Sequence, residues 1–122
     1  MDDDTLKIIK SEVSQNLKII KNDIKKMKEN SCNGFSLDET IRTVHSLKGI
    51  LSIAGYDNLP EVVNLIESIL TEIDDDKSCN NGSYLDLLLE GLDVVEKNTE
   101  KDNGGCGDIE KKLSDVLRKI KE

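Results

Sequence analysis

Histidine is the side chain whose ordinary titration range lets it serve as a nitrogen nucleophile at neutral pH. This chain has a single one, His45. It stands in the stretch Val44-His45-Ser46-Leu47-Lys48-Gly49, continued by Ile50-Leu51-Ser52-Ile53-Ala54-Gly55. Lys48 follows three residues on, so a helix would set its ammonium beside the imidazole. Gly49 and Ser52 share that side, and Gly49 leaves room for another molecule to come close. A transferred phosphoryl group spreads negative charge over three oxygens, which a neighbouring cation stabilises. The chemistry these residue types suit is therefore attack by a ring nitrogen on phosphorus.

Five segments must position that stretch. Leu6, Ile9, Val13, Leu17, Ile20, Ile24 and Met27 recur at three- and four-residue steps and predict a helix over 4–28. The polar run from Glu29 to Gly34 ends it. Ser36-Leu37-Asp38-Glu39 reads as a capping box, opening a second helix over 36–54 with Gly55 as its stop. A third helix over 58–73 takes Pro60 in its first turn, where the missing N–H breaks no helical bond. Its core face is Leu59, Val62, Val63, Ile66, Ile69, Leu70 and Ile73. A fourth over 83–98 carries Leu85, Leu88, Leu89, Leu92 and Val95, and a fifth over 108–121 carries Ile109, Leu113, Val116, Leu117 and Ile120. With no strand candidate, no repeat and short connections, the expected fold is all-α. It is a single domain over 1–122, an antiparallel up-and-down four-helix bundle with an additional C-terminal fifth helix.

On the second helix Leu37, Val44, Leu47, Leu51 and Ala54 cluster on one side, and His45 falls about 140° from their centre. That places the imidazole toward solvent rather than in the core. The third helix folds back across Gly55, so Asn64 and Glu67 reach the depth of His45 along the hairpin. Glu67 lies at the flank of the apolar stripe. A carboxylate there is able to accept from Nδ1–H, fix the tautomer and leave Nε2 unprotonated.

Composition narrows the partners. A formal net charge of -8 argues against nucleic acid and against anionic membrane surfaces. The lysines between Lys18 and Lys28 are interrupted by Asp23 and read as a solvated helix face. No apolar run is long enough for a membrane span, and no signal-peptide pattern opens the chain. Cys32, Cys79 and Cys106 have neither paired nor metal-ligand spacing, which fits a reduced, cytoplasmic location. No Gly-rich nucleotide loop is present, and the acidic residues fall mostly on outer faces, so neither ATP nor a metal is expected to be bound.

The residues His45, Leu47, Lys48, Gly49 and Gly55 resemble the motif of histidine phosphotransfer (HPt) domains, and the five-helix layout is most similar to the N-terminal phosphotransfer domain of chemotaxis histidine kinases. The resemblance implies that His45 accepts a phosphoryl group at Nε2 from an ATP-binding kinase domain and passes it to an aspartate of response-regulator receiver domains. It implies that Glu67 orients the histidine and that Lys48 is the motif lysine, with Gly49, Asn64 and Ser52 in support. ATP and Mg would then come from the kinase core or the receiver. Enzymatic activity would belong to a larger histidine kinase continuing past Glu122, with the isolated domain a monomer. Asn64 departs from the family, standing where chemotaxis kinases often carry a second histidine. Ile50 replaces a small residue common after the motif glycine. Two other readings are a stand-alone HPt protein of a multistep phosphorelay and a non-catalytic helical docking module. An apolar stripe on the outside would favour the last, and none is evident in the sequence.

Overall fold

The computed structural model describes residues 2–30, 37–76, 82–100 and 106–121. Five helices account for nearly all of them: α1 (Asp3–Asn30), α2 (Asp38–Ile53), α3 (Leu59–Asp76), α4 (Gly82–Glu100) and α5 (Gly107–Lys121). Among the described residues there is no strand.

Each helix buries the apolar stripe its sequence carries. Leu17, Ile20, Ile24 and Met27 of α1 meet Val44, Leu47 and Leu51 of α2, Ile66, Ile69 and Leu70 of α3, and Leu88 and Leu92 of α4 in one aliphatic core. Polar pairs between neighbouring helices show the directions. His45 meets Glu67 while Lys48 meets Asn64, so α3 recedes as α2 advances. Lys21 pairs with Asp93 and Lys28 with Asp86, so α1 and α4 are antiparallel as well. The helices α1 to α4 pack around a ring in chain order, with α1 closing on α4, and α5 lies across α3 and α4. The architecture is the all-α four-helix bundle with an added fifth helix.

The turn that reverses the chain between α2 and α3 is built by Gly55. Its φ of 84° lies in the left-handed region, open to glycine because no Cβ collides there. The Gly55 N–H donates to the Ser52 carbonyl at 3.1 Å and the Tyr56 N–H to the Leu51 carbonyl at 3.2 Å, the Schellman pattern that satisfies the last carbonyls of a helix.

Several sequence expectations need correction. The residue preceding α2 is Leu37, buried in the core and without a side-chain capping bond; Ser36, the other half of the expected capping box, lies outside the described residues. Helix α3 continues to Asp76 and α4 to Glu100, each past its predicted end, because helical hydrogen bonding extends into polar residues where the apolar stripe has already stopped. Cys106, set in the Gly-rich sequence Gly104-Gly105-Cys106-Gly107, is buried at 6% exposure against the core, where desolvation pushes its thiol up and Glu110 adds to the effect. Cys32 and Cys79 lie outside the described residues. The exterior also carries apolar side chains that were not anticipated. Ile8 is 63% and Ile53 75% exposed, and together with Ile9 and Ile50 they border a shallow apolar depression between α1 and α2.

Candidate functional site

The core decides where the histidine goes. Val44 and Leu47 are fully buried, and His45 between them turns outward, its side chain 67% exposed. On α3, Ile66 and Ile69 are buried, which brings Glu67 to the seam with α2 and leaves Asn64 exposed one turn earlier. The antiparallel register then sets these residues opposite each other.

His45 Nδ1 lies 3.2 Å from Glu67 Oε1. A carboxylate accepts only, so Nδ1 carries the hydrogen and the lone pair of the neutral ring resides on Nε2. Among the described residues Nε2 has no partner. Lys48 Nζ lies 3.0 Å from the same Oε1 and donates to Asn64 Oδ1 at 3.1 Å. Four side chains from two helices thus form one network centred on a single carboxylate oxygen. Partial burial pushes the Glu67 carboxyl up, but the hydrogen bonds and charges of Lys48 and His45 outweigh it and hold the group below its ordinary value. Glu67 is ionised at neutral pH and able to balance positive charge on the imidazole.

The remaining predicted residues stand near the network without joining it. Gly49 is exposed, and a Cβ added there would meet nothing within 4 Å, so the approach to His45 along α2 is open. The Ser52 hydroxyl donates to the Lys48 carbonyl at 3.0 Å and is thereby spent on its own helix. Thr71 does the same on α3, donating to the Glu67 carbonyl at 2.9 Å.

Two features were not foreseen. The ammonium of Lys48, expected beside the group that Nε2 attacks, meets Glu67 and Asn64 of α3 in the resting protein. The helical wheel carried that signal, but choosing the side requires knowing which neighbour α3 is. The second feature is α5, whose Glu110 and Ser114 border an open groove of about 410 Å³ that begins at Lys48 and Asn64. A hydrogen bond with Glu61, burial and the Glu61 charge all raise the Glu110 carboxyl above its ordinary value. Among the described residues no group of three or more His, Cys, Asp or Glu side chains is placed to hold a metal ion. No described helix is long and apolar enough to cross a membrane.

Comparison with known proteins bears on what this arrangement is for. Chemotaxis protein CheA of Treponema pallidum is 28% identical over 119 residues, covering 98% of this chain and 14% of that protein. CheA of Borreliella burgdorferi is 31% identical over 87 residues, covering 70% of this chain and 10% of that protein. CheA of Bacillus subtilis is 30% identical over 82 residues, covering 67% of this chain and 12% of that protein. The chain therefore spans only about a tenth to a seventh of the length of these three relatives. No family model matches it. No solved structure matches it. The chain is close to the histidine phosphotransfer domain of CheA.

Proposed function

We infer, from a sequence close to the phosphotransfer domain of CheA, that this chain is a phosphoryl carrier in a chemotaxis signalling pathway, with His45 as the phosphoacceptor. One observation carries the reading: the only histidine is exposed, and its Nδ1 is held at 3.2 Å by an ionised carboxylate, leaving the Nε2 lone pair to solvent. In the reaction Nε2 attacks the γ-phosphorus of ATP bound to a separate kinase domain. The N–P bond forms as the bond to the bridging oxygen breaks, and ADP leaves with that electron pair. The phosphorylated ring keeps its Nδ1 hydrogen and is positively charged, and the Glu67 carboxylate balances that charge. In the second step a carboxylate oxygen of a receiver aspartate attacks phosphorus, the N–P pair returns to Nε2, and the neutral imidazole is regenerated. Nucleotide and Mg belong to the kinase or the receiver, and this chain supplies the nucleophile and its orientation.

The exposed pair Ile8 and Ile53 favours a second reading, a docking module in which His45 takes no part in chemistry. Incubation with a CheA kinase core and labelled ATP separates the two. The carrier reading expects an acid-labile phosphohistidine on the wild type and none on His45→Gln. A His45→Gln protein that still labels, or a wild type that never does, overturns it.

A further inference from the structure

Lys48 is held in a way that a single surface ion pair does not account for. A lone exposed ion pair gains little, roughly what a lysine loses in rotamer freedom by keeping one geometry. Here the ammonium meets two acceptors on α3, one turn apart: Glu67 Oε1 at 3.0 Å and Asn64 Oδ1 at 3.1 Å. The Lys48 side chain is only 25% exposed despite lying at the surface. Glu67 Oε1 is also the atom that takes the His45 hydrogen, so the position of Lys48 bears directly on the oxygen that orients the nucleophile.

We propose that Asn64 is a positioning residue: its amide oxygen anchors Lys48 on the Glu67 oxygen shared with His45, so that the lysine reaches the imidazole through Glu67 rather than by lying beside Nε2. This rests on the phosphoryl-carrier reading only for its consequence, since the anchoring is a property of the resting protein. An ammonium has three donors, and Asn64 and Glu67 engage two. Glutamine would carry the amide one carbon further out and leucine would offer no acceptor, so the short amide at this position matters.

The test needs no phosphoryl donor. The Glu67 carboxyl is followed by NMR titration in the wild type, Asn64→Leu, Lys48→Met and the double variant. Losing the anchor should let Lys48 leave Oε1, so the Glu67 midpoint moves upward in Asn64→Leu, and it moves upward in Lys48→Met. In the Lys48→Met background Asn64→Leu should add nothing, because the cycle isolates an effect that passes through the lysine. An unmoved midpoint in Asn64→Leu overturns the proposal. So does an equal shift from Asn64→Leu whether or not Lys48 is present, which would make the asparagine's effect direct. With kinase core and ATP, Asn64→Leu should label several-fold more slowly and Asn64→Asp, which keeps an acceptor, should recover most of that rate. Equal slowing in both variants counts against the anchor. If the wild type failed to label while the titrations behaved as expected, the carrier reading would fall and the anchor would stand.

Discussion

A neutral imidazole has one ring lone pair, and the 3.2 Å contact from His45 Nδ1 to Glu67 places it on Nε2. The same carboxylate pairs with Lys48, so its removal disturbs two partners at once. Glu67 lies on the flank of α3 and contributes little to the core, and Glu67→Ala is expected to keep its helix content while labelling more slowly. A pH series distinguishes the pairing from packing. The folded protein holds Glu67 below its ordinary value because the bonds to Lys48 and His45 outweigh partial burial. The stability from that pairing is therefore complete above the ordinary carboxylate range and lost as pH falls through the folded value. Denaturation curves of wild type and Glu67→Ala should converge in acid; a constant offset at every pH would mean that Glu67 acts by packing instead.

At the scale of elements, the α2–α3 hairpin sets the site's register. The turn at Gly55 joins the two helices and sets which residue of α3 stands opposite His45. Gly55 has φ of 84°, and alanine there would meet no neighbouring atom within 4 Å, so the cost is conformational alone. Gly55→Ala is expected to lose about 1 kcal/mol in urea denaturation, as for other left-handed helix caps. A neutral result would show that the turn relaxes into another form. The hairpin was legible in sequence because Gly55 and Pro60 bracket a break between two long amphipathic segments. The start of α2 was less so: a Ser-x-x-Glu pattern pointed to Ser36, whereas Leu37 precedes the helix and is drawn into the core by its own burial.

At the scale of the whole molecule, the added helix α5 shares the core of the four-helix bundle. Leu113 is fully buried, and it approaches Gly91 of α4 together with Ile66 of α3, so three helices meet where glycine leaves room. A Cβ on Gly91 would lie 3.2 Å from Ile66 Cδ1 and 3.4 Å from Leu113 Cδ1, tighter than ordinary contact. Sequence spacing does not reveal this close approach at Gly91, because its neighbours Ile66 and Leu113 come from distant parts of the chain. Leu113→Ala should cost about 2–5 kcal/mol, a large share of a small domain's stability. Since the residue belongs to the common core, unfolding should stay a single transition with an unchanged urea slope. A separate early transition would show α5 to be an independent unit. The Ile8 and Ile53 exposure also belongs to this scale, since α1 and α2 are each amphipathic and only their packing angle decides which flanking isoleucines remain outside.

What the sequence determined by itself was periodic or local. Apolar spacing specified five helices and their inner faces, glycine and proline placed the α2–α3 break, and the wheel turned His45 toward solvent. These follow from the geometry of one helix at a time, which spacing encodes. Tertiary structure alone decided which flank of α2 faces α3, that Lys48 turns there to meet Glu67 and Asn64, that Cys106 is buried, and that α5 closes over α3 and α4. Each of these depends on the relative placement of helices distant in the chain, and that placement is set by the joint packing of one core, to which no single segment's pattern is sufficient.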